Sequence, residues 1–172
     1  MEGGVGLRDA LSKVSLKLRP MLEIDVSEQA AALRDVLARQ GLMPALAMLN
    51  DRTDYRYTGI YKFEGDVMRA VHVFDRHAEH RTWLRAVPLN RSFCRYVLQH
   101  GEFLTTSASQ DPRLGSHPYD GLVESYYGRL LRRQDGSPYG TFIHFDVEPR
   151  VIAAQELAFL QDVVPLLLTC LD

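Results

Sequence analysis

Cys94 is the residue whose type and place most readily suggest covalent chemistry, because the thiolate is the reactive form of cysteine and a position near a helix N-terminus favours it. The other cysteine, Cys170, lies in the last predicted helix. Two cysteines so far apart are too few for a disulfide framework and lack the spacing of a zinc site, so reduced thiols are expected. The histidines offer little metal chemistry. His77 and His80 are three apart in a predicted loop, His72 and His144 lie in predicted strands, and no glutamate-flanked helical pair accompanies them. A haem would need one axial histidine in an apolar pocket, for which His117 and His144 are the candidates, with a hydrogen-bonded structural histidine as the alternative. No Ser/His/Asp order, recognisable carboxylate pair or glycine-rich phosphate loop occurs. These residues leave the cofactor unassigned.

The cations are mostly arginine, only Lys13, Lys17 and Lys62 being lysine, and a guanidinium makes the two-pronged contacts that suit carboxylates and phosphates. Residues 76–95 hold Arg76, Arg81, Arg85, Arg91 and Arg95 against the single acid Glu79. That local excess suits an anionic ligand, or is a solvated loop. Trp83, in the same stretch, can stack on a ligand or plug a satellite core.

These groups must be positioned by a chain of 172 residues, a length for one domain. Hydrophobic residues at 46% and charged residues at 24% are the composition of a globular chain. A net charge of -2 lacks the basic excess of a nucleic-acid binder. No apolar run reaches the roughly 18 to 20 residues of a membrane span, and the start Met1-Glu2-Gly3-Gly4 is not a secretory signal, so a cytoplasmic location is expected.

Residues 1–26 form an arm, partly helical through Leu7, Leu11, Val14 and Leu18, and residues 27–172 form the domain. Ser27 caps a helix over about 28–40 with Ala30, Leu33, Val36 and Leu37 on one face, and Pro44 opens a second helical segment. Tyr55 to Phe63 and Val67 to Phe74 read as a hairpin, 75–88 as a loop, and Phe93 to Leu98 as a helix capped by Asn90 or Ser92 and closed by Gly101. Phe103 to Thr106 is a short strand and Ser107 to Gly121 an irregular cover. Ser125 to Arg132 and Tyr139 to Phe145 form a second hairpin. In a final helix, about 153–171, Leu157, Leu160, Val164, Leu167 and Leu171 follow the spacing of a coiled-coil seam, and Pro165 predicts a bend near Gln161. The order is α+β with a central antiparallel sheet.

Phe93-Cys94-Arg95-Tyr96-Val97, Gly101, Asp111-Pro112-Arg113, Ser125-Tyr126-Tyr127-Gly128, Gly140-Thr141-Phe142 and Asp146 with Pro149-Arg150 together resemble the GAF domain family in order and spacing, over roughly residues 28–171. The resemblance implies a five- or six-stranded antiparallel sheet with the N- and C-terminal helices on one face. On the other face it implies a small-molecule pocket, roofed by the middle helix and the irregular segment. It further implies a stand-alone bacterial regulatory sensor in signal transduction, without catalysis, acting on a separate output protein. Homodimerisation is expected through Leu33, Leu37, Leu157, Leu160, Val164, Leu167 and Leu171. Free methionine-R-sulfoxide reductases of this family resolve their oxidised thiol with further cysteines around the same pocket, whereas Cys170 is expected across the sheet. A reductase-like activity with Cys94 as nucleophile is therefore the alternative, as is a ligand-free dimerisation module. Arg95 stands where bilin-binding relatives anchored at this helix show histidine.

Alternation sorts the strand residues into two faces. Gly128 suits close helix packing, which assigns Tyr127 and Arg129 to the pocket, with Thr141 and Ile143. The expected ligand contacts are thus Tyr61, Phe74, Trp83, Phe93, Val97, His117, Tyr127, Arg129, Thr141 and Ile143. Arg129 would hold an anionic group of the ligand, or else pair at the sheet edge with Glu124 or Asp120. Asp146 with Arg150 reads as a turn device that accepts backbone N–H groups.

Overall fold

Aromatic and β-branched runs broken by short turns give six strands, and the apolar-striped segments before and after them give the helices that cover one face. The computed structural model describes residues 26–79, 84–115 and 122–171. The expectations for the arm, Trp83 and His117 lie outside those residues. Helix α1 spans 26–40 and α2 spans Leu42–Asp51. The strands are β1 (Tyr57–Glu64), β2 (Val67–Asp75), β3 (Ala86–Pro88), β4 (Glu102–Thr105), β5 (Ser125–Arg132) and β6 (Pro138–Asp146), with α3 (Cys94–His100) before β4 and α4 (Ala154–Val163) after β6. All pairings are antiparallel, in the order β3-β2-β1-β6-β5-β4. Among the described residues no helix is long and apolar enough to cross a membrane.

Two elements differ from expectation. The 75–88 stretch contains the edge strand β3, which pairs Val87 with Met68. Three residues ending in Pro88 are too short to show a period, and a proline is tolerated at an edge. The last helix is α-helical only to Val163 and continues as a 3-10 helix over Val164–Cys170, with Pro165 in its first turn. Proline has no N–H to return to the preceding turn, and the chain tightens there into the 3-10 form.

The sheet separates two apolar layers. In one, Leu33, Leu46, Leu49, Ile60, Phe142 and Leu160 fill the space between the sheet and α1, α2 and α4. In the other, Tyr57, Tyr61, Met68, Val97, Tyr126 and Ile143 lie between the sheet and α3. The expected dimer seam is corrected here. Leu33, Leu160, Val164 and Leu167 are 0% exposed and Leu37 is 5% exposed within a single chain. Leu157 and Leu171 pack against the same layer. Each fully buried leucine contributes about 1.5 to 3 kcal/mol, so these five buried residues are committed to their own sheet.

Arg52 ties the helical layer together. Its guanidinium donates to both carboxylate oxygens of Glu156 at 2.7 to 3.1 Å and to Gln29 Oε1 at 2.7 Å, and lies 3.8 Å from the Phe159 ring centre. Asp146 is the turn device that its spacing predicts. It accepts the backbone N–H groups of Arg56 and Glu148 and the Nε of Arg150 at 2.8 Å.

Candidate functional site

Helix α3 is a short lid fastened at both ends. Ser92 Oγ accepts the N–H of Cys94 at 3.0 Å. At the other end Gly101 takes φ 81, a left-handed conformation that glycine enters without penalty, and returns its N–H to Val97 O at 2.7 Å. The lid sits directly on β5 because Gly128 has no side chain: a Cβ there would stand 2.6 Å from Val97 Cγ2 and 2.5 Å from the Tyr126 hydroxyl.

Between α3 and the sheet is a hollow of about 50 Å³, walled by Tyr61, Leu84, Phe93, Tyr126, Ile143 and Phe145. The aromatic rings support one another, with Phe93 and Tyr126 at 5.0 Å and Tyr57 and Phe145 stacked at 4.5 Å between ring centres. Three polar side chains meet at one place. The Cys94 Sγ lies 3.3 Å from Thr141 Oγ1 and 3.4 Å from the Tyr126 hydroxyl. Burial, with the nearby Cys94 sulfur second, holds the Tyr126 phenol well above its ordinary pKa, so this hydroxyl stays protonated at neutral pH. The Tyr61 hydroxyl donates to Leu84 O at 2.6 Å. No charged side chain among the described residues lines this cavity. It suits a neutral, mostly apolar guest with one hydrogen-bonding group.

No family model matches the sequence, and no curated protein matches it. Solved structures do. The free methionine-R-sulfoxide reductase from Neisseria meningitidis in complex with its substrate superimposes with a TM-score of 0.64 at 16% identity, over 83% of this chain and 85% of that one. The type II free methionine-R-sulfoxide reductase from Thermoplasma acidophilum gives 0.58 at 18% identity, over 80% and 96%. The GAF domain from Acinetobacter phosphoenolpyruvate-protein phosphotransferase gives 0.65 at 11% identity, over 81% and 88%. The fold is GAF-like. At these identities the likeness concerns the fold alone, and it corrects the expectation of a chain without catalysis. Enzymes share this GAF-like fold with that GAF domain, so the fold gives no ground for excluding an activity.

Against the GAF-like frame, Tyr61, Phe93 and Ile143 line the hollow, Thr141 meets Cys94 there, and Val97 packs in the same layer. Tyr127 and Arg129 do not. Tyr127 is fully buried in the opposite layer, where its hydroxyl donates to Glu102 Oε1 at 2.7 Å, and Arg129 stands 3.4 Å from the same oxygen. The helix that needs Gly128 is α3 itself, so Tyr126 and Gly128 face the pocket and their neighbours face away. The partner of Arg129 is Glu102, not Glu124, which instead accepts from Ser107 and Ser109. Phe74 is also displaced, packing against the terminal-helix layer. An irregularity opposite Ile60 and Tyr61 leaves Val71 without a partner in β1, and this extra residue reverses the alternation for the rest of β2.

His144 likewise points away from the hollow, which removes it as an axial ligand there. It is fully buried in the helical layer, with Nδ1 2.7 Å from Thr58 Oγ1. Among the described residues no group of three potential metal ligands occurs. Arg76 and Arg95 serve the fold rather than the cavity. Arg76 donates to Asn50 Oδ1 and to the carbonyls of Asn50 and Thr53, and Arg95 donates to Asn90 O and the Tyr96 hydroxyl. The lining residues Tyr126, Leu84 and Phe145 were not among the expected contacts. For Tyr126 and Phe145 the available signal was alternation anchored on Gly128.

Proposed function

We propose that the chain binds a small, neutral and mostly apolar molecule in the α3 hollow and acts as a regulatory sensor of it. The supporting observation is a polar corner of that hollow, where Cys94 Sγ and the Thr141 and Tyr126 hydroxyls meet. A guest's one polar group has a defined end to bind, and its apolar body the aromatic walls. An ion would lose its hydration there without a compensating partner. A volume of about 50 Å³ admits only a few heavy atoms, and a larger guest requires Phe93 or Tyr126 to turn.

The test is thermal stabilisation of the chain by a panel of small neutral alcohols, ketones and thioethers, together with native mass spectrometry of any guest that copurifies. A ligand at 100 times its Kd adds about 2.7 kcal/mol of stability. Ile143→Phe fills the hollow and should abolish that gain while the chain stays folded. Stabilisation that persists in Ile143→Phe rejects this site, and the absence of any stabilising ligand or copurifying guest rejects the sensor reading.

A thiol-reductase reading is favoured by one observation, the contact of Cys94 Sγ with two hydroxyls inside the cavity. The two reductases of similar fold suggest free methionine-R-sulfoxide as the substrate to try. Cys170 lies in the other layer, with Sγ 3.9 Å from Leu37 O, so the second thiol has to come from an added reductant. Dithiol-dependent loss of the sulfoxide that disappears in Cys94→Ser would establish the activity, and no turnover by the unaltered chain would remove it.

A further inference from the structure

The anion-holding role that alternation predicts for Arg129 has no place in the α3 hollow, because this side chain leaves the sheet on the other face. A second hollow, of about 400 Å³, opens there between the β4–β5 side of the sheet and the terminal 3-10 helix. Its volume falls within the range of roughly 300 to 1,000 Å³ usual for small-molecule sites. Leu131, Pro165 and Leu168 give it an apolar wall. Arg129 and Arg132 line it with Glu102 as the single acid, a local excess of one positive charge before His100 is counted.

The guanidinium groups are underused. Arg129 is only 29% exposed; its Nη1 stands 3.4 Å from Glu102 Oε1, long for a charge-assisted bond, and the side chain also interacts with the Tyr127 hydroxyl. Glu102 already accepts from the Tyr127 hydroxyl at 2.7 Å and from Gln161 Nε2 at 3.1 and 3.2 Å, so it is shared rather than dedicated to Arg129. Arg132 donates through Nη1 to Gly136 O at 3.0 Å. Two largely unoccupied forks beside an apolar wall match an oxyanion head on an apolar body, since guanidinium geometry suits carboxylate and phosphate oxygens.

We propose that this hollow binds a small organic oxyanion, with its carboxylate or phosphate on Arg129 and Arg132 and its apolar body against Leu131 and Leu168. The site is separate from the α3 hollow and stands whether or not the sensor reading does.

The full ¹⁵N-labelled chain is titrated with phenyl phosphate and, in a second arm, with benzoate, at constant ionic strength. Saturable shifts at Arg129, Arg132 and Leu168 are expected with at least one probe, and the tighter arm identifies the head group. Arg129→Gln and Arg132→Gln should each weaken that probe tenfold or more. Arg91→Gln, at an exposed arginine outside the hollow, should leave Kd within twofold. If Arg129→Gln fails to fold, Arg132→Gln decides. No saturable shift with either probe, equal weakening by Arg91→Gln, or shifts confined to Tyr126 and Ile143 would each overturn the proposal.

Discussion

Val97 Cγ2 would lie 2.6 Å from a Cβ placed on Gly128, closer than real side-chain contacts permit. This single approach sets α3 on the sheet and decides which face of β5 the ligand side receives. Gly128→Ala is therefore expected to lower stability by about 1 to 3 kcal/mol, the usual effect of overpacking a filled core. Urea unfolding of the variant measures it, and an unchanged midpoint would show that α3 can lift without loss.

Leu160 and Leu167 are fully buried against their own sheet, so a charge at either has no route to solvent short of unfolding. Leu160→Asp and Leu167→Asp should each abolish the cooperative thermal transition, a loss of more than about 4 kcal/mol. Ala158→Asp, on the exposed side of α4, should leave the melting curve nearly unchanged. A folded Leu160→Asp chain with only an altered mass in solution would return these residues to an interface role.

His144 gives the stability a pH dependence whose sign is fixed. Burial first, and Arg76 second, push its imidazole down to about 3 in the folded chain. Between about pH 6.5 and 3 the unfolded chain binds a proton that the folded chain refuses, so stability is full above about 6.5 and falls as the pH drops. The slope is about 1.4 kcal/mol per pH unit once the unfolded histidine is protonated. Denaturant unfolding between pH 7 and 5, where carboxylates stay ionised, should show this slope in the natural chain and a flatter one in His144→Phe.

Arg52 and Glu156 form a two-pronged pair with side chains only 24% and 11% exposed. Glu156→Ala should cost about 1.5 to 3 kcal/mol, because it leaves a part-buried guanidinium with Gln29 as its remaining side-chain acceptor. A loss below about 0.5 kcal/mol in chemical denaturation would place this pair with ordinary surface ion pairs.

The sequence by itself determined the elements whose signal is local. The hairpin around Glu64-Gly65-Asp66, the helix from Phe93 to Gly101 and the Asp146–Arg150 turn each depend on residues within a few positions of one another. The α+β order and the GAF-like arrangement followed from those elements in sequence. Tertiary structure decided what a single element cannot express. The unpaired Val71 moved Phe74 to the helical layer, and its presence depends on the register of β2 against β1. The contact of Val97 with the space over Gly128 placed Tyr126 in the pocket layer and turned Arg129 outward to Glu102. The leucine stripe of the last helix has the same spacing whether it meets a second chain or its own sheet. Only the proximity of β5, β6 and α1 settled that choice, because apolar area is buried by whichever surface reaches it first and fits it best.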